Sequence, residues 1–253
     1  MSRRRADPVV ARDGDLIVER DPSRPSGRLL RQDDMDASYV DLADETHVEF
    51  DYLRWARIVL EAARARRVLH VGGAGCALAR ALAAADPSSR HEVVEVDPRV
   101  LEMARAHLGL RRAPGLRVRL QEGRAAIESR PDGSFDAIVI DAFVGARVPE
   151  RLITVEALAH AARVAPLTLV NVVDTRTLDD TRAIAAGLRA AYPHAVALGS
   201  RALRGGNVVL AGSAQALPLE RIRPRAAADT SPAALVPPAE LGRLASGTAP
   251  LHD

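Results

Sequence analysis

The spacing of apolar residues changes several times along this chain. Leu16-Ile17-Val18 is a short β-like run, residues 21–27 read as a turn rich in Pro, Ser and Gly, and Arg28-Leu29-Leu30 resumes the β pattern. A small β-hairpin region is therefore expected at the start. From Phe50 to Ala65 the spacing becomes helical, with Phe50, Leu53, Ile58 and Leu60 on one stripe and Trp55 between them. Short apolar runs then alternate with helical patterns. Strands are predicted at residues 68–71, 92–96, 116–120, 137–140, 167–172, 195–198 and 208–210. Helices are predicted at 77–85, 100–108, 125–129, 154–164 and 177–191, with Pro98 at a favourable first helical position.

Strands alternating with helices at this spacing imply a parallel sheet covered on both faces. The short segment at Gly205-Gly206 between the last two strands predicts an antiparallel edge hairpin. The expectation is a Rossmann-like α/β fold with a seven-stranded, mostly parallel sheet whose last strand is antiparallel, preceded by a small N-terminal β-hairpin region. The expected division is residues 1–50 as a β-rich region, 51–214 as the Rossmann-like α/β domain, and 215–253 as an Ala- and Pro-rich extension. Leu235, Leu241 and Leu244 suggest that this extension docks on the rest.

Composition narrows the class. Apolar residues make up 47% of the 253, enough for a sizeable core, and aromatics only 3%, so that core is aliphatic. No apolar run approaches the roughly 20 residues of a membrane-spanning helix. The basic N-terminus is followed by Ala6-Asp7-Pro8 rather than an apolar stretch, which argues against a secretory signal. The single Cys76 fits a reducing compartment, so a cytoplasmic protein is expected. All 35 basic residues are Arg; with 33 acids they leave a net charge of +2. The arginines are dispersed among acids and stacking aromatics are scarce, so neither a nucleic acid nor a membrane is an expected partner.

The candidate chemistry lies at strand ends. Val68-Leu69-His70-Val71-Gly72-Gly73-Ala74-Gly75 is an apolar run ending in glycines, and Glu95 ends a second run about twenty residues later. Gly72, Gly73 and Gly75 either wrap a nucleoside-bearing ligand or make a tight strand-to-helix turn. Leu78 holds the third position of a G-x-G-x-x-G pattern, which disfavours a dinucleotide. Glu95, with Val96 beside it, is positioned to accept both ribose hydroxyls. Asp97 is read as the cap of the helix that Pro98 begins. Glu122, next to Gly123, is a candidate for an adenine amino group or a solvated turn acid. Asp141 follows a wholly apolar run, where a carboxylate that is not paired usually binds something or caps a turn.

With these motifs the chain resembles the spermidine synthase (polyamine aminopropyltransferase) family, on the fold shared with class I S-adenosylmethionine-dependent methyltransferases. The likeness spans roughly residues 15–213. It rests on V-L-H-V-G-G-A-G, V-E-V-D, F-D-A-I-V-I-D followed by Pro149, and the string S-Y-V-D-L. The resemblance implies that Glu95 holds ribose, that Glu122 stands where the family contacts adenine, and that Asp141 helps deprotonate an attacking amine. It implies S-adenosylmethionine or its decarboxylated form as co-substrate, a small-molecule amine as acceptor, and a homodimer. His47 falls near the family's substrate-side tyrosine or is a surface histidine at a helix start, and Glu49 is one of the acids available to replace a lost substrate contact.

The chain also departs from the family. Gly75 replaces the Asp that reads the donor's amine, Val144 replaces the second acid of the D-S-S-D motif, and Ala37 stands in place of a Gln. Three functions therefore stay open: aminopropyl transfer, methyl transfer from S-adenosylmethionine, and non-catalytic nucleoside binding. No metal is expected, since the seven histidines are scattered and Cys76 has no cysteine partner.

Overall fold

The computed structural model describes residues 8–200 and 205–253; the basic N-terminal stretch lies outside the described residues. The chain opens with a four-stranded antiparallel meander, β1 (Val9–Asp13), β2 (Leu16–Arg20), β3 (Gly27–Gln32) and β4 (Met35–Asp41). This is larger than the expected hairpin, because the acidic stretch after β3 is itself a tight turn. Asp33 and Asp34 take φ of 48° and 63°, a left-handed conformation that Asp tolerates better than most residues. The chain reverses there and β4 pairs with β3. Leu16, Val18, Leu30 and Val40 turn inward and join the core formed with the next helix.

That helix is α1 (Asp51–Ala62), and it leads into the main sheet. The order along the chain is β5 (Arg67–Gly72), α2 (Ala77–Ala85), β6 (Arg90–Glu95), α3 (Pro98–His107), β7 (Leu116–Leu120), α4 (Gly123–Glu128) and β8 (Ala137–Asp141). Then come α5 (Val155–Val164), β9 (Leu167–Asp174), α6 (Asp179–Ala191), β10 (His194–Ser200) and β11 (Gly206–Ser213). The chain closes with α7 (Leu219–Ala227), β12 (Ala233–Val236) and α8 (Pro238–Leu244).

The strand order is β12-β10-β11-β9-β8-β5-β6-β7. The sheet thus has eight strands among the described residues and not seven. The eighth, β12, comes from the C-terminal extension and pairs antiparallel with β10. It is only four residues long, and its pairing partner lies over thirty residues back, so no local pattern marks it. β11 is inserted between β9 and β10 and runs against both.

Side chains alternate between two aliphatic cores. Val68 and Val139 face α1, α2 and α3, whereas Leu69, Val71, Ile138 and Ile140 face α4, α5, α6 and α8. The chain leaves β5 toward β6 on one side and later returns to place β8 on the other. The carboxyl ends of β5 and β8 therefore form the topological switch point, where ligands of open α/β sheets bind. Among the described residues no helix is long and apolar enough to cross a membrane.

Candidate active site

The glycine loop leaves β5 at this switch point. Gly72 and Gly73 have φ of 80° and 94°. A Cβ on Gly72 would stand 2.5 Å from the Asp141 carbonyl oxygen, so only glycine lets β5 and β8 close here. Gly73 has nothing within 4 Å of such a Cβ, which leaves open space beside the loop. Gly75 is needed for a different reason. A Cβ there would lie 2.7 Å from Ser38 Oγ and 3.0 Å from Leu108, so β4 of the meander occupies the room that a side chain at 75 would need. The acid that the resemblance expects at this position would overpack against Ser38 and Leu108.

On the side of β6 and β7, the carboxylates lean on backbone. Glu95 Oε1 accepts hydrogen bonds from the N–H groups of Val96 (2.8 Å) and Asp97 (3.1 Å). Burial pushes its carboxyl up, and those amides offset part of the rise. Val96 beside it is 62% exposed, an apolar face open to a flat ligand. Asp97 caps α3 by accepting from Arg99 N, and Arg99 also pairs with Asp15 at 2.9 Å, tying the meander to this edge. Glu122 caps α4: Oε1 accepts from Arg124 N at 2.9 Å and Oε2 from Ala125 N at 2.8 Å. Burial opposes its ionisation, but these amides and nearby arginines bring it below the usual carboxylate range. Both Glu122 oxygens are thus engaged by the helix it begins. Gly123 serves packing, since a Cβ would come within 2.4 Å of Val71 Cγ1.

Asp141 ends β8 in different surroundings. Its Oδ1 accepts from Asn171 Nδ2 at 2.9 Å and its Oδ2 from Tyr52 Oη at 3.4 Å. Burial pushes its pKa up to about 6, and the two hydrogen bonds only partly oppose the rise. A narrow cavity opens beside it, lined by Ser38, Tyr52, His70, Gly72, Gly73 and Asp141. Ala37, where the resemblance expects a Gln, also borders it. Cys76 lies there as well, its thiol pushed up to about 12 by burial, which makes it unreactive.

Two partners of Asp141 were not singled out from sequence. Tyr52 reads as one more residue of a helical stripe. Asn171 did carry a signal: it is an isolated polar residue in the apolar run Leu167–Asp174. Its Oδ1 is buried without a hydrogen-bond partner among the described residues. His47 and Glu49 pair with each other at 2.8 Å, and Arg24 reaches both His47 (3.3 Å) and Asp41 (2.8 Å). This network is not among the residues that border the cavity. Val144, on the loop after β8, is 76% exposed.

No family model matches the chain. In sequence it is 29% identical over 140 residues to the polyamine aminopropyltransferase of Vibrio vulnificus (strain CMCP6), covering 54% of this chain and 46% of that protein. The match therefore spans about half the length of that curated relative. In structure it is similar to a probable spermidine synthase from Corynebacterium glutamicum ATCC 13032, with a TM-score of 0.87, 26% identity, and 99% of this chain and 97% of that one covered. A spermidine synthase in complex with the transition state analogue AdoDATO matches with a TM-score of 0.63 and 18% identity over 85% of this chain and 76% of that one. Human methyltransferase-like protein 13 in complex with SAH shares the fold alone, with a TM-score of 0.57 and 20% identity over 80% of this chain and 94% of that one. The chain is thus similar to spermidine synthases and has the Rossmann-like fold that is also seen in a methyltransferase-like protein.

Proposed function

We propose that the protein transfers an aminopropyl group from decarboxylated S-adenosylmethionine to a small amine. The observation that carries this reading is Asp141. It is a buried carboxylate at the switch point with no cationic partner among the described residues, pushed up to about 6, facing a cavity that it shares with the glycine loop. An amine attacks only when neutral, so the base must take a proton as the new bond forms. A carboxylate held near 6 is ionised at neutral pH and accepts a proton more readily than one in the ordinary range.

The remaining residues divide the work. Asn171 and Tyr52 hold both Asp141 oxygens and so fix the direction in which it accepts. Gly72 and Gly73 let the donor's sugar and sulfur pass close to the backbone. Glu95, held by two amides at the rim, is positioned for the ribose hydroxyls. Val96 offers its exposed side chain to the adenine face. Ser38 brings a hydroxyl to the wall of the cavity where Gly75 passes, in place of the missing acid. When bound, the donor supplies a carbon activated by its sulfonium; attack there releases methylthioadenosine.

Methyl transfer is the second reading, favoured by the absence of an acid at 75. The charge of the cavity weighs against it. Among the described residues no Arg or Lys lines the cavity, so no cation there would compensate the α-carboxylate of intact S-adenosylmethionine beside Asp141. The test is calorimetry of intact and decarboxylated donors, followed by incubation of the decarboxylated donor with putrescine and other small amines. Tighter binding of the decarboxylated form and release of methylthioadenosine are expected. Tighter binding of the intact donor, with no methylthioadenosine from any amine, would overturn the proposal in favour of methyl transfer.

A further inference from the structure

The face of the sheet under α1 and α2 is aliphatic along most of its width, with Val68, Val93, Val139 and Leu169 packed in one core. A diagonal of polar side chains interrupts it. The register pairs Gly72 with Asp141, His70 with Val139 and with Val93, and Val68 with His91. Asn171 follows Val170, which pairs with Ile140. Asn171, Asp141, His70 and His91 therefore step across β9, β8, β5 and β6 on this one face. His70 and His91 are only 5% and 3% exposed. A satisfied core would be simpler with aliphatic residues at both places, and the reaction chemistry of the pocket does not need either imidazole for binding.

The hydrogen bonds of this row have a direction. Ser89 Oγ donates to the Asp86 carbonyl at 2.6 Å. Its bond to His91 Nε2, at 2.8 Å, must then be donated by the ring. A neutral imidazole carries one proton, so His91 Nδ1 is an acceptor, and His70 Nε2 donates to it across 3.1 Å. That leaves His70 Nδ1 as the accepting atom at the inner end. His70 lines the same cavity as Asp141, while Ser89 sits beneath the exposed turn at residues 86–88. Burial keeps both rings neutral, the form in which an imidazole can accept on one nitrogen and donate from the other.

We propose that His70, His91 and Ser89 carry to solvent the proton that Asp141 takes from the acceptor amine. The inference rests on the transfer reaction proposed above. In that reaction the amine lone pair forms the new N–C bond, the C–S bond breaks with its electrons staying on sulfur, and an N–H proton goes to Asp141. Asp141 passes this proton across the shared cavity to His70 Nδ1. His70 releases its Nε2 proton to His91 Nδ1, His91 releases its own Nε2 proton to Ser89 Oγ, and the Ser89 hydroxyl proton leaves along its bond to the Asp86 carbonyl to water at the exposed turn. Tautomer exchange in both rings resets the string. With both substrates filling the mouth of the cavity, this row is a route out that does not require either to leave.

The test uses the purified full-length protein with decarboxylated donor and its best amine. His91→Gln retains polar atoms but cannot relay a proton, and Ser89→Ala cuts the outer end by removing one hydroxyl next to the turn. Both variants are expected to lose about tenfold in kcat, less than the ~100-fold typical of removing a direct acid or base. KM for the donor stays unchanged, and the solvent deuterium isotope effect on kcat rises above that of the wild type, because proton release becomes rate-limiting. Should His91→Gln fail to fold, Ser89→Ala decides. Wild-type kcat in the variants, or a loss with no change in the solvent isotope effect, overturns the relay alone. A wild-type protein that yields no methylthioadenosine with any amine overturns the reaction, and the relay with it.

Discussion

Glu95, Asp97 and Glu122 on one side of the site, and Asp141 on the other, all stand at or just past the carboxyl ends of parallel strands, yet their chemistry diverges. What differs is the element that follows each strand. After β6 and β7 a helix begins within a few residues, and its free N–H groups turn back onto the acid: Asp97 caps α3 and Glu122 caps α4. Both are held below the usual carboxylate range, Asp97 by Arg99 and Glu122 by its helix amides against the effect of burial. After β8 the chain continues as a loop, and α5 does not start until Val155. Asp141 receives only the side chains of Asn171 and Tyr52, and burial prevails. Glu95 lies between the extremes, raised by burial but steadied by two amides. A strand-end acid is left to the effect of burial when no helix end supplies it with amides.

The sharpest way to break this comparison is Asp141→Asn. It should lower the transfer rate by about 10²–10⁴-fold while methylthioadenosine still binds, as read by steady-state kinetics and calorimetry. The same variant tests the electrostatics. Because the folded protein raises Asp141 from 3.8 to about 6, it binds that proton more tightly than the unfolded chain does. The contribution of Asp141 to stability should therefore decline as pH rises from about 4 to about 6 and level off above, and activity should show an ionisation limb near 6. Both features should vanish in Asp141→Asn; a variant that keeps them would place the titrating group elsewhere.

A smaller effect is expected on the nucleoside side. Glu95→Gln keeps the shape but loses the charge, so methylthioadenosine affinity should fall by about 1.5 kcal/mol, roughly tenfold, with little change in kcat at saturating donor. A drop in kcat instead would mean that the two sides do not divide binding from chemistry. The smallest change tests the boundary between them. Gly75→Asp should destabilise the fold by about 1 kcal/mol through overpacking against Ser38, visible as a lower melting temperature. Adding Ser38→Gly should restore most of it. If Gly75→Asp alone melts like the wild type, the steric account of this position fails.

Much of the nucleoside side was legible in the sequence because it is local. The glycines, Glu95 and the Asp97 cap all follow from a strand ending in a turn, and the element boundaries differ from the expected ones by only a few residues. Glu122 was legible as a turn acid, but its role as a cap depended on where α4 starts. The transfer side was legible only in part. Asp141 announced itself as a carboxylate after an apolar run, whereas Tyr52, Asn171 and Ser38 come from α1, β9 and β4. Nothing in the spacing of these three segments says that they meet. The same holds for β12, and for the pairing of His70 with His91 across two strands.

By itself the sequence determined the alternation of strands and helices, the glycine loop and the acids at the strand ends. These depend on period, turn chemistry and capping, which act over a few residues. Tertiary structure decided which of those acids is left without backbone donors, what fills the space at Gly75, and which polar residues line up beneath the sheet. Those outcomes depend on register and on burial, and both exist only once distant segments have packed.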